Sequence, residues 1–403
     1  MNHQSLKREL GLGGAIITGL GSILGTGAFV SIALASGQWG DAVLVAIPVA
    51  GLVAMFSGLS TAYLAGRFPV AGGTYEYAYE TLGPTFGFTA GWLFLLAKTA
   101  SAASAALGIA EYLGSGDSRA LAVGATVAVT VLVISGLRRT TAVNLVLVTV
   151  TVTALVVFAG AGIAGFSGLA KGLGERTGSV AASIFPTVAF LFVAYTGYGR
   201  VATLGEEVKE PARTIPRAVI VTLVIAGALY LGVELGGRAM GGPNWGSLLE
   251  LEAFTPARLL DHPYRAIVTV GAVTAMVGVL LNLVLGLSRV WLAMGRRGDM
   301  PSRLARLDES SQPLTAVLVS GITIILVCLI GDIGVAWSFS AFTVLLYYGI
   351  TNLAAIRVDR RRGTAWAGLA SCLLLSFFVT IQVWLVGAGL LLLGLIWHRQ
   401  RRS

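Results

Sequence analysis

The sequence GLGSILGTGAF, from Gly19 to Phe29, places four glycines inside an apolar run that otherwise predicts a single helix over residues 11–35. A glycine in a helix interior costs about 1 kcal/mol relative to alanine. The stretch therefore predicts a helix that is interrupted, and the interruption must serve a purpose that outweighs this cost.

Composition places this helix in a membrane. The chain has 403 residues, of which 56% are hydrophobic and only 12% are charged, whereas soluble domains carry about 25% charged residues. Apolar stretches of about 20 residues, the length that spans a bilayer, recur along the chain. The pattern predicts an all-α polytopic membrane protein with about twelve spans, at 11–35, 41–66, 84–113, 119–136, 141–166, 181–204, 214–238, 264–295, 314–331, 334–356, 364–379 and 381–398.

The basic residues are distributed unequally between the two sides of these spans. Of the 28 lysines and arginines, nineteen fall on the side of the N-terminus, six on the opposite side, and three within spans, at Lys98, Arg200 and Arg289. This asymmetry is the positive-inside pattern, and it predicts a multi-pass protein of the cell inner (plasma) membrane with both termini cytoplasmic. The net charge of +9 is explained by this topology, so no nucleic-acid partner is expected.

A second interrupted helix occurs five spans later, at AYTGYGR from Ala194 to Arg200. One glycine-rich helix alone has a simpler explanation in close packing against a neighbour, but two interruptions at corresponding positions are typical of inverted-repeat transporters. The half-helix that begins near Thr26 presents free amides suited to a carboxylate. The half-helices that end near Ile23 and Val193 present free carbonyls suited to an ammonium group. The pattern therefore predicts a binding site for the backbone of an α-amino acid.

Four ordered segments carry a family resemblance: GSILGTGAF (21–29), RFPVAGGTYEYAYETLGPTFGFTAGW (67–92), AYTGYGRVATLGEEVKEPARTIPRA (194–218) and LSRVWLAMGRRGDMP (287–301). Together they resemble the amino acid–polyamine–organocation (APC) family of permeases. The resemblance implies one transporter domain, 1–403, with inverted repeats at 11–166 and 181–356 and two further spans at 364–398. It also implies transport of amino acids or amines by alternating access.

The resemblance implies a substrate site of eleven residues: Ser22, Ile23, Gly25, Thr26, Gly27, Ala97, Ser101, Val193, Thr196, Gly197 and Tyr198. Within it, the backbone of residues 25–27 binds the carboxylate, and the carbonyls of Ile23, Val193 and Thr196 bind the ammonium.

The other members of the implied site act through their side-chain positions. Ser22, Ala97 and Ser101 line the pocket for the substrate side chain, and Tyr198 covers the substrate as a gate. Glu206 and Glu207 match the acidic pair at the cytoplasmic end of the sixth span.

One departure from the family concerns coupling. Some proton-coupled relatives carry a lysine on the fifth span, seven residues after an asparagine; here the asparagine is Asn144 and the position holds Thr151. Lys98 lies mid-span, where a charge costs at least about 2.5 kcal/mol. It either replaces the missing lysine in proton exchange, or snorkels and donates to backbone carbonyls. Arg200 either binds a substrate carboxylate or caps the broken helix.

A cavity that contains these cations disfavours cationic substrates, so the sequence favours neutral or acidic amino acids with a proton as the coupling ion. An amino acid exchanger, a sodium-coupled symporter (Thr151 removes a lysine that would exclude Na⁺), an amine or polyamine permease and a non-transporting amino acid sensor stay open as alternatives. No spacing of a nucleophile, an acid–base pair or metal ligands at membrane depth indicates an enzyme. We expect no cofactor and no metal.

Overall fold

The computed structural model describes residues 10–68, 73–114, 118–136, 141–164, 180–202, 208–248, 255–308 and 312–402. Within these ranges the chain is all-α, as predicted. The α-helices are α1 (Leu12–Ile23), α2 (Ile32–Trp39), α3 (Ala42–Arg67), α4 (Thr74–Leu82), α5 (Pro84–Leu113), α6 (Ser118–Ile134), α7 (Thr141–Ala164), α8 (Val180–Tyr195), α9 (Gly199–Ala202), α10 (Pro211–Gly241), α11 (Tyr264–Arg296), α12 (Leu314–Ile330), α13 (Ile333–Val358), α14 (Gly363–Ser376) and α15 (Ile381–Arg402).

The predicted spans coincide with these helices to within a few residues. In the described residues, eight helices are long and apolar enough to cross a membrane, and the bent pair of α1 with the helix that follows it makes a ninth. Three shorter apolar helices, α6, α12 and α14, occupy the positions of the remaining predicted spans. The stretch 364–398 divides into two helices at Phe377–Thr380, although the sequence there has no strong turn signal.

Both predicted interruptions are present in the structure. The first helix stops at Ile23, because Leu24 adopts an extended conformation (φ −78°, ψ 102°). The chain resumes as a π-helical turn at Gly27–Ser31 and continues as α2, and the two halves meet at a bend of 46°. The sixth span stops at Tyr195, passes through a 3₁₀ turn at Thr196–Tyr198 and ends in the short helix α9.

Helix α5 forms the centre of the bundle and is the most deeply buried of the long helices. It begins after Gly83 (φ +96°) with Pro84 in its first turn and ends at Gly114 in the left-handed conformation (φ +63°). Its small residues between Ala100 and Gly108 are buried and let α11 and α13 approach closely, as is usual for helices packed in membranes. Helix α5 therefore supplies the inner wall of any central cavity.

The segment between α3 and α5 contains the helix α4. Tyr75 and Tyr79 of α4 both donate hydrogen bonds to the buried carboxylate of Asp299, which follows α11. Burial and the nearby Asp299 raise the pKa of Tyr75 above its ordinary value, so this phenol stays a hydrogen-bond donor. His398 of α15 lies 3.3 Å from the same carboxylate. Asp299 thus joins α4, α11 and α15 at one end of the bundle.

A buried ion network holds the opposite end together. Arg238 of α10 donates from Nε to Glu234 at 2.7 Å and from a terminal nitrogen to Asp41 at 2.8 Å, and Trp245 donates to Glu234 at 3.0 Å. Arg238 is only 1% exposed. Helix α10 continues three residues beyond the predicted end of this span, to Gly241, so Arg238 lies within the helix.

Candidate functional site

The two interrupted helices border a cavity of about 540 Å³ in the middle of the bundle. The breaks, helix α5 and helix α13 line its inner end. Residues of α4 and the end of α11, including Glu76, Arg296 and Arg297, line its mouth. The cavity therefore runs from the breaks to the end of the bundle that carries the Asp299 cluster, which the sequence predicts to be cytoplasmic.

The two breaks are in direct backbone contact. A Cβ atom added at Gly197 would lie 2.2 Å from the carbonyl oxygen of Ser22 and 2.7 Å from the amide nitrogen of Ile23. A Cβ atom added at Gly27 would lie 2.7 Å from the Cβ atom of Ala194. These glycines are needed because a side chain at either position would push the two interrupted helices apart.

Thr26 lies where the first helix resumes, and the residue is part of the cavity wall. The residue is 3% exposed, and its hydroxyl has no hydrogen-bond partner among the described residues. The amides of Ala28 and Phe29 donate to the carbonyl of Gly25, so the new helix starts there. The amides of residues 25–27 precede the first complete turn and, as at any helix N-terminus, have no carbonyl of their own helix to bind. This end of the cavity is suited to a small anion such as a carboxylate.

The carbonyls expected to bind ammonium already accept hydrogen bonds from hydroxyl groups. The Ile23 carbonyl lies 3.2 Å from the hydroxyl of Tyr230, which is closer to the Ala194 carbonyl at 2.8 Å. The Thr196 hydroxyl donates to the Val193 carbonyl at 2.9 Å, and Tyr348 donates to the Thr196 carbonyl at 3.1 Å. Each carbonyl oxygen has a second lone pair, so an ammonium group can still bind beside these donors.

Lys98 of α5 reaches the break of the sixth span. Its ammonium lies 3.2 Å from the Thr196 hydroxyl and lines the cavity, and the residue is 9% exposed. In the described residues, the ion pairs involve other side chains and no carboxylate pairs with Lys98. The snorkelling interpretation does not fit this position, because the side chain points into the cavity.

The cavity brings together most of the predicted site residues. The two coupling candidates Lys98 and Arg200 line it. So do eight of the predicted substrate-binding residues: Ser22, Ile23, Thr26, Gly27, Ser101, Val193, Thr196 and Gly197. Ser101 shares a hydrogen bond of 2.7 Å with Ser340 of α13. Glu206 and Glu207 lie outside the described residues.

Four predicted residues lie elsewhere. Gly25 packs against Val279 of α11, and Ala97 is buried behind the cavity wall. The Thr151 hydroxyl donates to the Leu147 carbonyl of its own helix at 2.7 Å. Tyr198, expected to cover the substrate, is fully buried, with its ring 5.1 Å from that of Tyr348. It is not among the described residues that line the cavity, whereas Tyr348 is.

Sequence reasoning missed the tyrosines that bind the breaks, Tyr230 and Tyr348, and the polar wall residues Thr61 and Asn282. Tyr230 and Tyr348 sit in continuous apolar helices, and no local motif separates them from aromatic residues that pack in the core. A polar residue in the middle of a span, such as Asn282, is a usable signal.

The lining of the cavity is basic where the structure describes it. Its charged residues are Lys98, Arg200, Arg289, Arg296, Arg297 and Glu76. Glu76 pairs with Arg297, so these two charges largely cancel and the other four are positive. Concentrated charge of one sign in a cleft raises the local concentration of ligands of the opposite sign.

Known proteins resemble this chain along almost its whole length. The family named amino acid permease matches residues 14–400. A Mycobacterium tuberculosis protein named only as an uncharacterized transporter is 36% identical over 408 residues, covering 98% of this chain and 92% of its own. The branched-chain amino acid permease of Bacillus subtilis is 26% identical, over 76% of this chain and 70% of its own length. The mitochondrial cationic amino acid transporter 3 of Arabidopsis thaliana is 26% identical, over 80% of this chain and 57% of its own length.

The fold and the central cavity between two broken helices define a polytopic membrane transporter. The chain belongs to the amino acid permease family, within the APC family that its motifs indicated. Its relatives are transporters, which confirms that it is not an enzyme.

Proposed function

We propose that the protein is a secondary active transporter that moves neutral or acidic amino acids by alternating access, with the substrate held between the two helix breaks. The observation that carries this proposal is the buried hydroxyl of Thr26, which has no hydrogen-bond partner among the described residues. Thr26 is part of the cavity wall at the point where the first helix resumes. An amino acid carboxylate supplies the missing acceptor for that hydroxyl. The substrate ammonium then lies at the carbonyls of Ile23, Val193 and Thr196.

The asymmetry between the two ends of the bundle supports alternating access. At the end with the mouth, charged residues line an opening to the cavity. At the opposite end, Ser36 donates to the Pro243 carbonyl, and Gly246 packs so tightly on α2 that a Cβ there would lie 1.8 Å from the Ala33 carbonyl oxygen. In the proposed conformation, these contacts and the Arg238 network keep that end closed. The proposed cycle breaks them while the mouth closes.

The proposed orientation places the mouth in the cytoplasm of a cell bounded by the plasma membrane, with both termini on the same side. The basic loops support this orientation through the positive-inside pattern. A single cysteine at the mouth, as in Arg296→Cys, tests it: a membrane-impermeant thiol reagent added to intact cells should leave this cysteine unlabelled. Labelling from outside would reverse the orientation.

The proposed coupling ion is the proton, carried by Lys98. The support is positional: Lys98 is the deep cation of the cavity and contacts the broken sixth span through Thr196, so its charge can influence the moving part of the site. Thr151, at the position where some relatives carry a coupling lysine, is bonded to its own helix and lies outside the cavity.

Uptake of radiolabelled amino acids into proteoliposomes tests the proposal. We expect wild type to accumulate substrate under an inward proton gradient, and Lys98→Ala to exchange substrate without accumulating it. Thr26→Val should weaken binding, because it removes the hydroxyl at the carboxylate site. Thr149→Val is the matched control, since Thr149 is exposed on α7 and bonds only to the Leu145 carbonyl of its own helix. A wild type that moves no amino acid under any gradient would refute the proposal.

A further inference from the structure

We propose that Lys98 is the counter-ion of a second carboxylate, so that the substrates of this transporter are acidic amino acids. This inference rests on the proposed function, because it concerns the same cavity, and it narrows the substrate class to amino acids with a carboxylate in the side chain.

The first step is the unpaired charge of Lys98. The side chain is buried in the wall of the cavity, and its polar contact is a neutral hydroxyl, that of Thr196 at 3.2 Å. None of the ion pairs among the described residues includes Lys98. A buried charge without a partner is unfavourable, so a ligand that brings a negative charge to this point binds with an added gain.

The second step is the position of Lys98 relative to the proposed amino acid. Thr196 belongs to the end of the site that holds the substrate ammonium, while the substrate α-carboxylate lies at Thr26. A protonated Lys98 beside Thr196 therefore repels the ammonium of a neutral amino acid. If the substrate carries a side-chain carboxylate between its own ammonium and Lys98, the carboxylate attracts both cations and offsets this repulsion.

The third step is the surrounding charge. Among the described residues that line the cavity, Lys98 and four arginines are basic, and the acidic residue is Glu76, which pairs with Arg297. Such a lining concentrates anions and disfavours cationic substrates. The protonated form of Lys98 is the form that binds the carboxylate, so the acidic substrate and the coupling proton enter the site together.

The test compares pairs of amino acids of equal size in proteoliposomes that contain the full chain. Radiolabelled glutamate is competed with aspartate, glutamine, asparagine and leucine, in wild type, Lys98→Met and Lys98→Arg. We expect glutamate and aspartate to compete at least tenfold better than glutamine and asparagine in wild type. Lys98→Arg should keep this preference, and Lys98→Met should lose it. Ser104→Ala, on the same helix and outside the cavity, should behave like wild type.

The outcomes separate this inference from the proposed function. Uptake of neutral amino acids without a preference for acidic ones would overturn the role of Lys98 and leave the transporter proposal standing. An acidic preference that persists in Lys98→Met would also overturn it. If no amino acid is moved by wild type, the proposed function fails and this inference fails with it. Ligand-induced thermal stabilisation in detergent gives a second measure of binding for each variant that does not transport.

Discussion

Replacing Gly197 by alanine should disable the transporter, although alanine is the better helix former. The added Cβ would lie 2.2 Å from the Ser22 carbonyl oxygen and 2.4 Å from its carbonyl carbon, whereas ordinary contact begins near 3.4 Å. The two breaks must therefore separate by about 1.2 Å, and backbone atoms cannot rotate aside as a side chain can. Overpacking of this kind costs about 1–3 kcal/mol. We expect the population of the conformation with touching breaks to fall roughly 5- to 150-fold.

The assay is initial-rate amino acid uptake in proteoliposomes, together with the melting temperature of each variant in detergent. Gly160→Ala is the matched control, because Gly160 lies on a membrane helix with nothing within 4 Å of its Cβ position, and a stabilising effect of up to about 1 kcal/mol is expected there. The uptake rate of Gly27→Ala should lie between those of Gly197→Ala and Gly160→Ala, because the closest neighbour of its added Cβ is the Cβ of Ala194 at 2.7 Å. If Gly197→Ala takes up substrate at the wild-type rate and melts at the wild-type temperature, contact between the two breaks is not required.

Three further predictions concern the contacts around the site. Arg238→Gln leaves Glu234 buried without its cation and should lower the free energy of unfolding by about 3–5 kcal/mol; the double variant with Glu234→Gln should recover part of this loss in a thermal unfolding assay, and an additive loss would contradict the pairing. Tyr230→Phe removes a hydroxyl worth about 0.5–1.5 kcal/mol from the Ile23 and Ala194 carbonyls, so uptake should slow about 2- to 10-fold, and unchanged uptake would argue against this role. Asp299→Asn weakens the hydrogen bonds that hold α4, and faster amide hydrogen exchange over 74–82 should follow; unchanged exchange would show that α4 is held by packing alone.

Much of the fold could be predicted from the sequence, because membrane spans depend on local composition. The apolar runs, the charge asymmetry between loops and the glycines at 19–27 and 197–199 are properties of short segments. They predicted the positions of the apolar helices and the two interruptions, but not the helix α4 between two spans. The presence of a lysine in the middle of α5 was likewise visible without a structure.

The arrangement of the site required the tertiary structure, because it depends on residues far apart in the chain. Lys98 contacts Thr196 across 98 positions, and Tyr230 reaches Ile23 across 207. No local pattern shows which face of a uniformly apolar helix turns inward. For the same reason Tyr198, placed in the site by its position after the break, is instead buried against Tyr348.

The sequence by itself determined that this chain is a membrane bundle with two broken helices, since the cost of burying charge or leaving backbone groups unpaired in a bilayer applies to each segment separately. The tertiary structure decided that the two breaks touch at Gly197, that Thr26 and Lys98 line one cavity, and that Arg238 pairs with Glu234. These contacts arise from the way helices pack, and packing depends on the shape of every neighbouring surface at once.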